Sequence, residues 1–178
     1  MGGCTALTTA GAAPLARCGG MSSLTRLDLS GCALVDADML TRVVQNCPSL
    51  TDVVLKGTQA DNGTVQALAG IEALTSLDLT RCRNVTDVRS LLRLDDCPLP
   101  RAGDNTDNVD DFASSANGHA ALRVLNLCGT SLTLDGVHGL EEVGTLEALD
   151  VSMCPSVAEW DAADIMRARL TSFRIDRN

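Results

Sequence analysis

The sequence predicts an α/β fold, a solenoid in which short strands alternate with helical halves as a single domain over residues 1–178. Three observations predict it. One six-residue template, L-x-x-L-x-L, recurs six times; its copies are regularly spaced; and each of the first five is followed by apolar residues at helical intervals.

The template opens at Leu24 (LTRLDL), Leu50 (LTDVVL), Leu74 (LTSLDL), Leu122 (LRVLNL), Leu146 (LEALDV) and Leu170 (LTSFRI). Successive starts lie 26, 24, 48, 24 and 24 residues apart, so the third interval holds two repeat lengths. No further copy occurs inside it, and beyond Cys97-Pro98 the composition turns polar. Residues 99–121 therefore read as an acidic loop insertion between repeats over 24–98 and 122–178, with a partial first repeat over 1–23. Its carboxylates, Asp104, Asp107, Asp110 and Asp111, lack the sixth-position Gly and closing Glu of a calcium loop.

Within each copy the apolar residues at offsets 3 and 5 from the first Leu fall on one face of a strand, and offsets 2, 4 and 6 fall on the other. At offset 8 comes a small side chain, Cys32, Thr58, Cys82, Thr130 or Cys154, usually after Gly, where the chain turns inward. A helical half follows, as in Leu40, Val43, Val44 and Cys47, or Val137, Leu140 and Val143. Cys47-Pro48 and Cys97-Pro98 close two of these halves with a helix stop. Trp160, at the same offset as Val88, reads as a packing residue.

Cys4 and Cys18 fit the same ruler, so the chain reads as starting inside a repeat, a fragment or a truncated product. Seven of the eight cysteines then occupy two recurrent positions, with Cys128 the exception. Packing explains them better than chemistry, because a free thiol behaves as a small hydrophobe. No C-x-x-C pair occurs and the histidines are His119 and His138 alone, so no metal, disulfide framework or cofactor is expected. The start Met1-Gly2-Gly3-Cys4 departs from the myristoylation motif at Ala6.

Hydrophobic residues make up 45% and aromatics 2%, so the core is aliphatic. A net charge of −9 without a basic cluster argues against nucleic acid and anionic membranes as partners. With no run of 18 apolar residues and no secretory leader pattern, a cytoplasmic, intracellular location is expected. Cys128 is the only cysteine placed on the open face, and neither histidine shares its strand, so no enzymatic activity and no small-molecule substrate are expected.

The segments LTRLDLSGCALVDADMLTRVVQNCPSL and LTSLDLTRCRNVTD resemble the cysteine-containing class of leucine-rich repeat, known from the substrate-recognition halves of F-box proteins. LRVLNLCGTSLTLDGVHGLEEVGTLEALDVSMC is similar to repeats of trypanosomatid leucine-rich repeat proteins. The resemblance implies a leucine-rich repeat solenoid with a curved parallel sheet on the concave face and helices or helical turns on the convex face. It also implies a scaffold that binds another protein on the sheet. Alternatives are the substrate-recognition part of a ubiquitin-ligase-type complex and a fragment of a longer structural solenoid.

On that face offset 4 carries Asp28, Val54, Asp78, Asn126, Asp150 and Arg174, a broken acidic column suited to a protein with a basic surface. Beside it run Arg26, Asp52, Ser76, Val124, Ala148 and Ser172, and Ser30, Lys56, Thr80, Cys128, Ser152 and Asp176. The candidate contact residues are Arg26, Asp28, Asp52, Lys56, Asp78, Asn126, Cys128, Asp150 and Arg174, with Arg81 and Arg83 at the rim.

Overall fold

A three-residue strand offers few hydrogen bonds and must be held by neighbours on either side and by apolar side chains beneath it. The computed structural model, which describes residues 6–17, 21–92, 121–158, 160, 167 and 169–175, shows both supports. Its strands are β1 (Arg26–Asp28), β2 (Asp52–Val54), β3 (Ser76–Asp78), β4 (Val124–Asn126), β5 (Ala148–Asp150) and β6 (Ser172–Arg174). Each occupies offsets 2 to 4 of its template. They form one six-stranded, all-parallel sheet in sequence order.

The register carries one template exactly onto the next: Leu27 lies opposite Val53, then Leu77, Leu125, Leu149 and Phe173. β3 pairs directly with β4, the strands on either side of the long interval. Beneath the strands, Leu50, Leu55, Leu74, Leu77 and Leu79 are wholly inaccessible to solvent. Leu27, Phe173 and Ile175 are only half-buried, and among the described residues no strand pairs with the outer edge of β1 or of β6.

The helical side is less uniform. α1 (Thr9–Arg17), α2 (Ala37–Gln45) and α3 (Asn62–Ala69) are two-turn helices, whereas the described residues of later layers include the single turn α4 (Leu134–Val137), 3₁₀ turns at Arg89–Leu92, Leu140–Glu142 and Pro155–Val157, and helical Arg167 and Arg169. Starts are fixed by side-chain caps: Asp36 accepts from the Met39 amide, and Asp61 and Thr64 form a reciprocal capping box. α2 buries Met39, Leu40, Val43 and Val44 on one face. Trp160 and Val88 are buried at their shared offset.

Between strand and helical half the chain turns through a left-handed residue at offset 7: Gly31, Gly57, Arg81, Gly129 and Met153, with φ from 56° to 73°. Glycine suits this conformation, but Arg81 and Met153 carry the steric cost of a Cβ there. No described helix is long and apolar enough to cross a membrane. Cys4, Cys18, Cys97, His119, Asp176 and insertion residues 99–120 lie outside the described residues.

Candidate binding face

All nine candidate contact residues lie on the strands or their immediate exits. The register sets Arg26, Asp52, Ser76, Val124, Ala148 and Ser172 in one line and Asp28, Val54, Asp78, Asn126, Asp150 and Arg174 in a second. Arg26, Asp28, Lys56, Val124 and Arg174 are exposed, while Asp52, Asp78, Asn126, Cys128 and Asp150 are half-buried. Lys56 apart, the described offset-6 side chains stand less open than strict alternation predicts, and Thr80 is buried, since the strand has ended and the chain is already turning in.

The acidic column does a job inside the molecule that composition did not reveal. Asp28 Oδ1 accepts from the Ser30 amide at 2.9 Å and its hydroxyl at 2.5 Å. Asp78 accepts from Thr80 at 2.8 and 2.5 Å, and Asp150 from Ser152 at 2.9 and 2.5 Å. In the fourth copy Asn126 Oδ1 accepts from the Cys128 amide at 3.1 Å. These are Asx turns that satisfy the backbone where the strand stops. The signal is present as Asp-x-Ser/Thr at three strand exits, with Asn126-Leu127-Cys128 as a variant, and it is missing from Val54-Leu55-Lys56 and Arg174-Ile175-Asp176. The Ser30 hydroxyl and amide bonds hold the Asp28 carboxyl below its ordinary pKa.

The face is mixed in sign. Arg26 pairs loosely with Asp52 at 3.9 Å, and Arg123 pairs with Glu147 across β4 and β5. Thr51 and Thr75 each donate a side-chain bond to the carbonyl of the threonine one layer back, and Thr171 donates to that of Glu147, so side chains as well as backbone stitch the layers. Val124 and Met153 are exposed apolar side chains at the centre and exit of the sheet. Arg81 and Arg83 are also exposed.

Below the sheet lies a ladder of buried hydroxyls and thiols. The Leu55 carbonyl accepts from the Thr58 hydroxyl at 2.7 Å and from the Cys82 thiol at 3.0 Å, and the Leu127 carbonyl accepts from Thr130 at 2.8 Å and Cys154 at 3.1 Å. Offset 8 therefore demands a small side chain that can donate, which is why Cys and Thr interchange there. Burial pushes the Cys47 and Cys82 thiols up from their ordinary pKa, with Thr58 partly opposing the shift at Cys82.

A folded-state pKa above the unfolded value stabilises the fold below the unfolded thiol range, and that stabilisation fades as pH rises through the folded value. Urea midpoints are therefore expected to fall from neutral pH toward about pH 10. Cys82→Thr, which keeps a donor for Leu55 and removes the titrating group, is expected to flatten the decline. An identical alkaline slope in that variant would place the titration elsewhere.

Cys128 is half-buried, and among the described residues no hydrogen bond joins its thiol to a base. His138 lies on the helical side, 3.7 Å from Glu141. Among the described residues no group of three His, Cys, Asp or Glu side chains is placed to hold a metal ion. A polar cleft of about 150 Å³ on the helical side is lined by Asn62, Gln66, Asp87 and Ser90. There Asp87 is penalised by burial, but hydrogen bonds and charge from Arg89 outweigh this and hold its carboxyl below the ordinary pKa. No family model matches the chain, and no curated protein matches it.

Proposed function

We propose that the chain is a leucine-rich repeat solenoid of the cysteine-containing class, and that its strand-lined face binds another protein with a basic surface. The observation that carries this reading is the unbroken register, which aligns Asp28, Asp78, Asn126 and Asp150 in one column across the sheet. Among the described residues, the bonds to these side chains all fall on Oδ1. Each carboxylate thus retains a second oxygen for a lysine or arginine of the partner. Arg26, Lys56 and Arg174 border the column and would set the orientation of the partner by repulsion as well as attraction.

Charge reversal at the three aspartates would also remove the strand-exit caps. Asparagine separates the two roles, because Asn126 already supports the same turn without a charge. The triple change Asp28→Asn, Asp78→Asn and Asp150→Asn is expected to weaken binding of a panel of lysine- and arginine-rich peptides about tenfold at low salt. Neutralising three carboxylates off this column, Asp38, Glu72 and Asp135, alters net charge equally and is expected to have a much smaller effect. Equal weakening by both sets, or none by the first, would overturn the reading.

A further inference from the structure

The left-handed residue at offset 7 is tied to the next layer by its amide, which donates to the offset-6 carbonyl there: Gly31 to Lys56, Gly57 to Thr80, Arg81 to Cys128 and Gly129 to Ser152. This ladder sets Arg81, Gly129 and Met153 side by side at the exits of β3, β4 and β5. Arg81 and Met153 bear a Cβ in a conformation that suits glycine, yet both side chains are exposed, Met153 at 60%, so core burial does not offset the strain. Gly129 between them opens a slot. A Cβ placed on it would lie 3.5 Å from Arg81 Cγ and 3.9 Å from Met153 Cβ, ordinary contact distances on both sides. The gap between the two side chains is therefore one carbon thick, and its floor is the bare backbone of Gly129.

We propose that this slot receives one aromatic side chain of a protein docked on the strand-lined face. A flat ring is one carbon thick and still large enough to gain by burial. Arg81 offers a guanidinium to one face of the ring and Met153 a thioether to the other, and both attract aromatic rings. A branched aliphatic side chain is too thick to enter, and a partner's arginine, though flat, is repelled by Arg81. The slot covers the two faces of a ring and is open to solvent above, whereas a free small molecule needs most of its surface enclosed. A side chain carried by a larger body does not, and arginine, methionine and aromatic residues are the side chains enriched where proteins meet.

The slot lies three residues beyond Asn126 and uses none of the acidic column, so the inference holds whether or not that column binds a basic partner. Uncharged probes keep the two apart. N-acetyl-tryptophanamide, titrated into the millimolar range against the full chain with ¹³C-methyl methionine, is expected to move the Met153 methyl proton signal upfield by ring current, and to saturate. N-acetyl-leucinamide is expected to leave that signal in place. The triple change Asp28→Asn, Asp78→Asn and Asp150→Asn is expected to leave the response to the tryptophan amide unchanged.

Gly129→Ala puts a carbon into the slot and is expected to weaken the tryptophan amide about fivefold or more. Gly57→Ala is the control: it carries the same left-handed cost, φ being 66° at Gly57 and 69° at Gly129, but its Cβ meets nothing within 4 Å. It is expected to bind the probe as the parent chain does. Arg81→Gly removes one wall together with its strain and is expected to weaken the probe, with a urea midpoint no lower than the parent's showing that the loss is not unfolding. A Met153 methyl that ignores the tryptophan amide, or answers the leucine amide equally, would overturn the proposal. So would equal weakening by Gly129→Ala and Gly57→Ala, or undiminished binding to Arg81→Gly.

Discussion

Replacing Gly136 with alanine is expected to destabilise the fold by about 3 kcal/mol, read as a lower urea midpoint with an unchanged slope. A Cβ at this position would lie 2.2 Å from the Thr86 carbonyl oxygen and 2.9 Å from the Asp87 Cα, both backbone atoms that cannot rotate away. The close approach is held by three bonds: the Val88 amide donates to the Gly136 carbonyl at 2.9 Å, the Thr133 amide to the Thr86 carbonyl at 3.0 Å, and the Gly136 amide to the Thr133 hydroxyl at 3.0 Å. Together they seat α4 on residues 86–88, joining the layers on either side of the long interval. Relieving the clash would separate that junction. Gly144 is the control, because a Cβ there meets nothing within 4 Å, and Gly144→Ala is expected to be neutral or stabilising by about 0.5 kcal/mol. Equal losses at the two glycines would mean that the junction yields and that only glycine's backbone freedom was being measured.

The contrast between these glycines shows where sequence stops being informative. The strands were legible because burial forces a period: all six lie at one offset of the template, and the leucines at offsets 3 and 5 face the core. Helical halves were legible as apolar spacing, but not their conformation, since the same spacing is met by α2 in one layer and by a 3₁₀ turn at Arg89–Leu92 in another. Gly136 gives no signal, because its requirement comes from a backbone segment some fifty residues away. The aspartates of the face were found for their charge, yet their bonds to Ser30, Thr80 and Ser152 are local and could have been read from spacing. An exposed carboxylate and a capping carboxylate are the same letter, and only the residue two places on tells them apart. Arg81 and Met153 run the other way: residue type argues against a left-handed turn, and the repeat imposes one.

Truncating the offset-3 side chain tests how the layers support one another. Leu77 is wholly buried between the layers of Val53 and Leu125, and Leu77→Ala is expected to cost about 3–4 kcal/mol through lost transfer energy and the cavity left behind. Leu27, the equivalent residue of the first strand, is half-buried and among the described residues has a strand neighbour on one side only; Leu27→Ala is expected to cost roughly 1–2 kcal/mol. The measurement is again the urea midpoint, joined by amide exchange on both variants. In a stack where each layer touches only its neighbours, the central cavity lowers protection in β2, β3 and β4 together, while the terminal one loosens β1 and leaves β4 to β6 unchanged. The two outcomes separate a chain of coupled layers from one indivisible core: uniform loss of protection from Leu27→Ala would show cooperativity over the whole sheet.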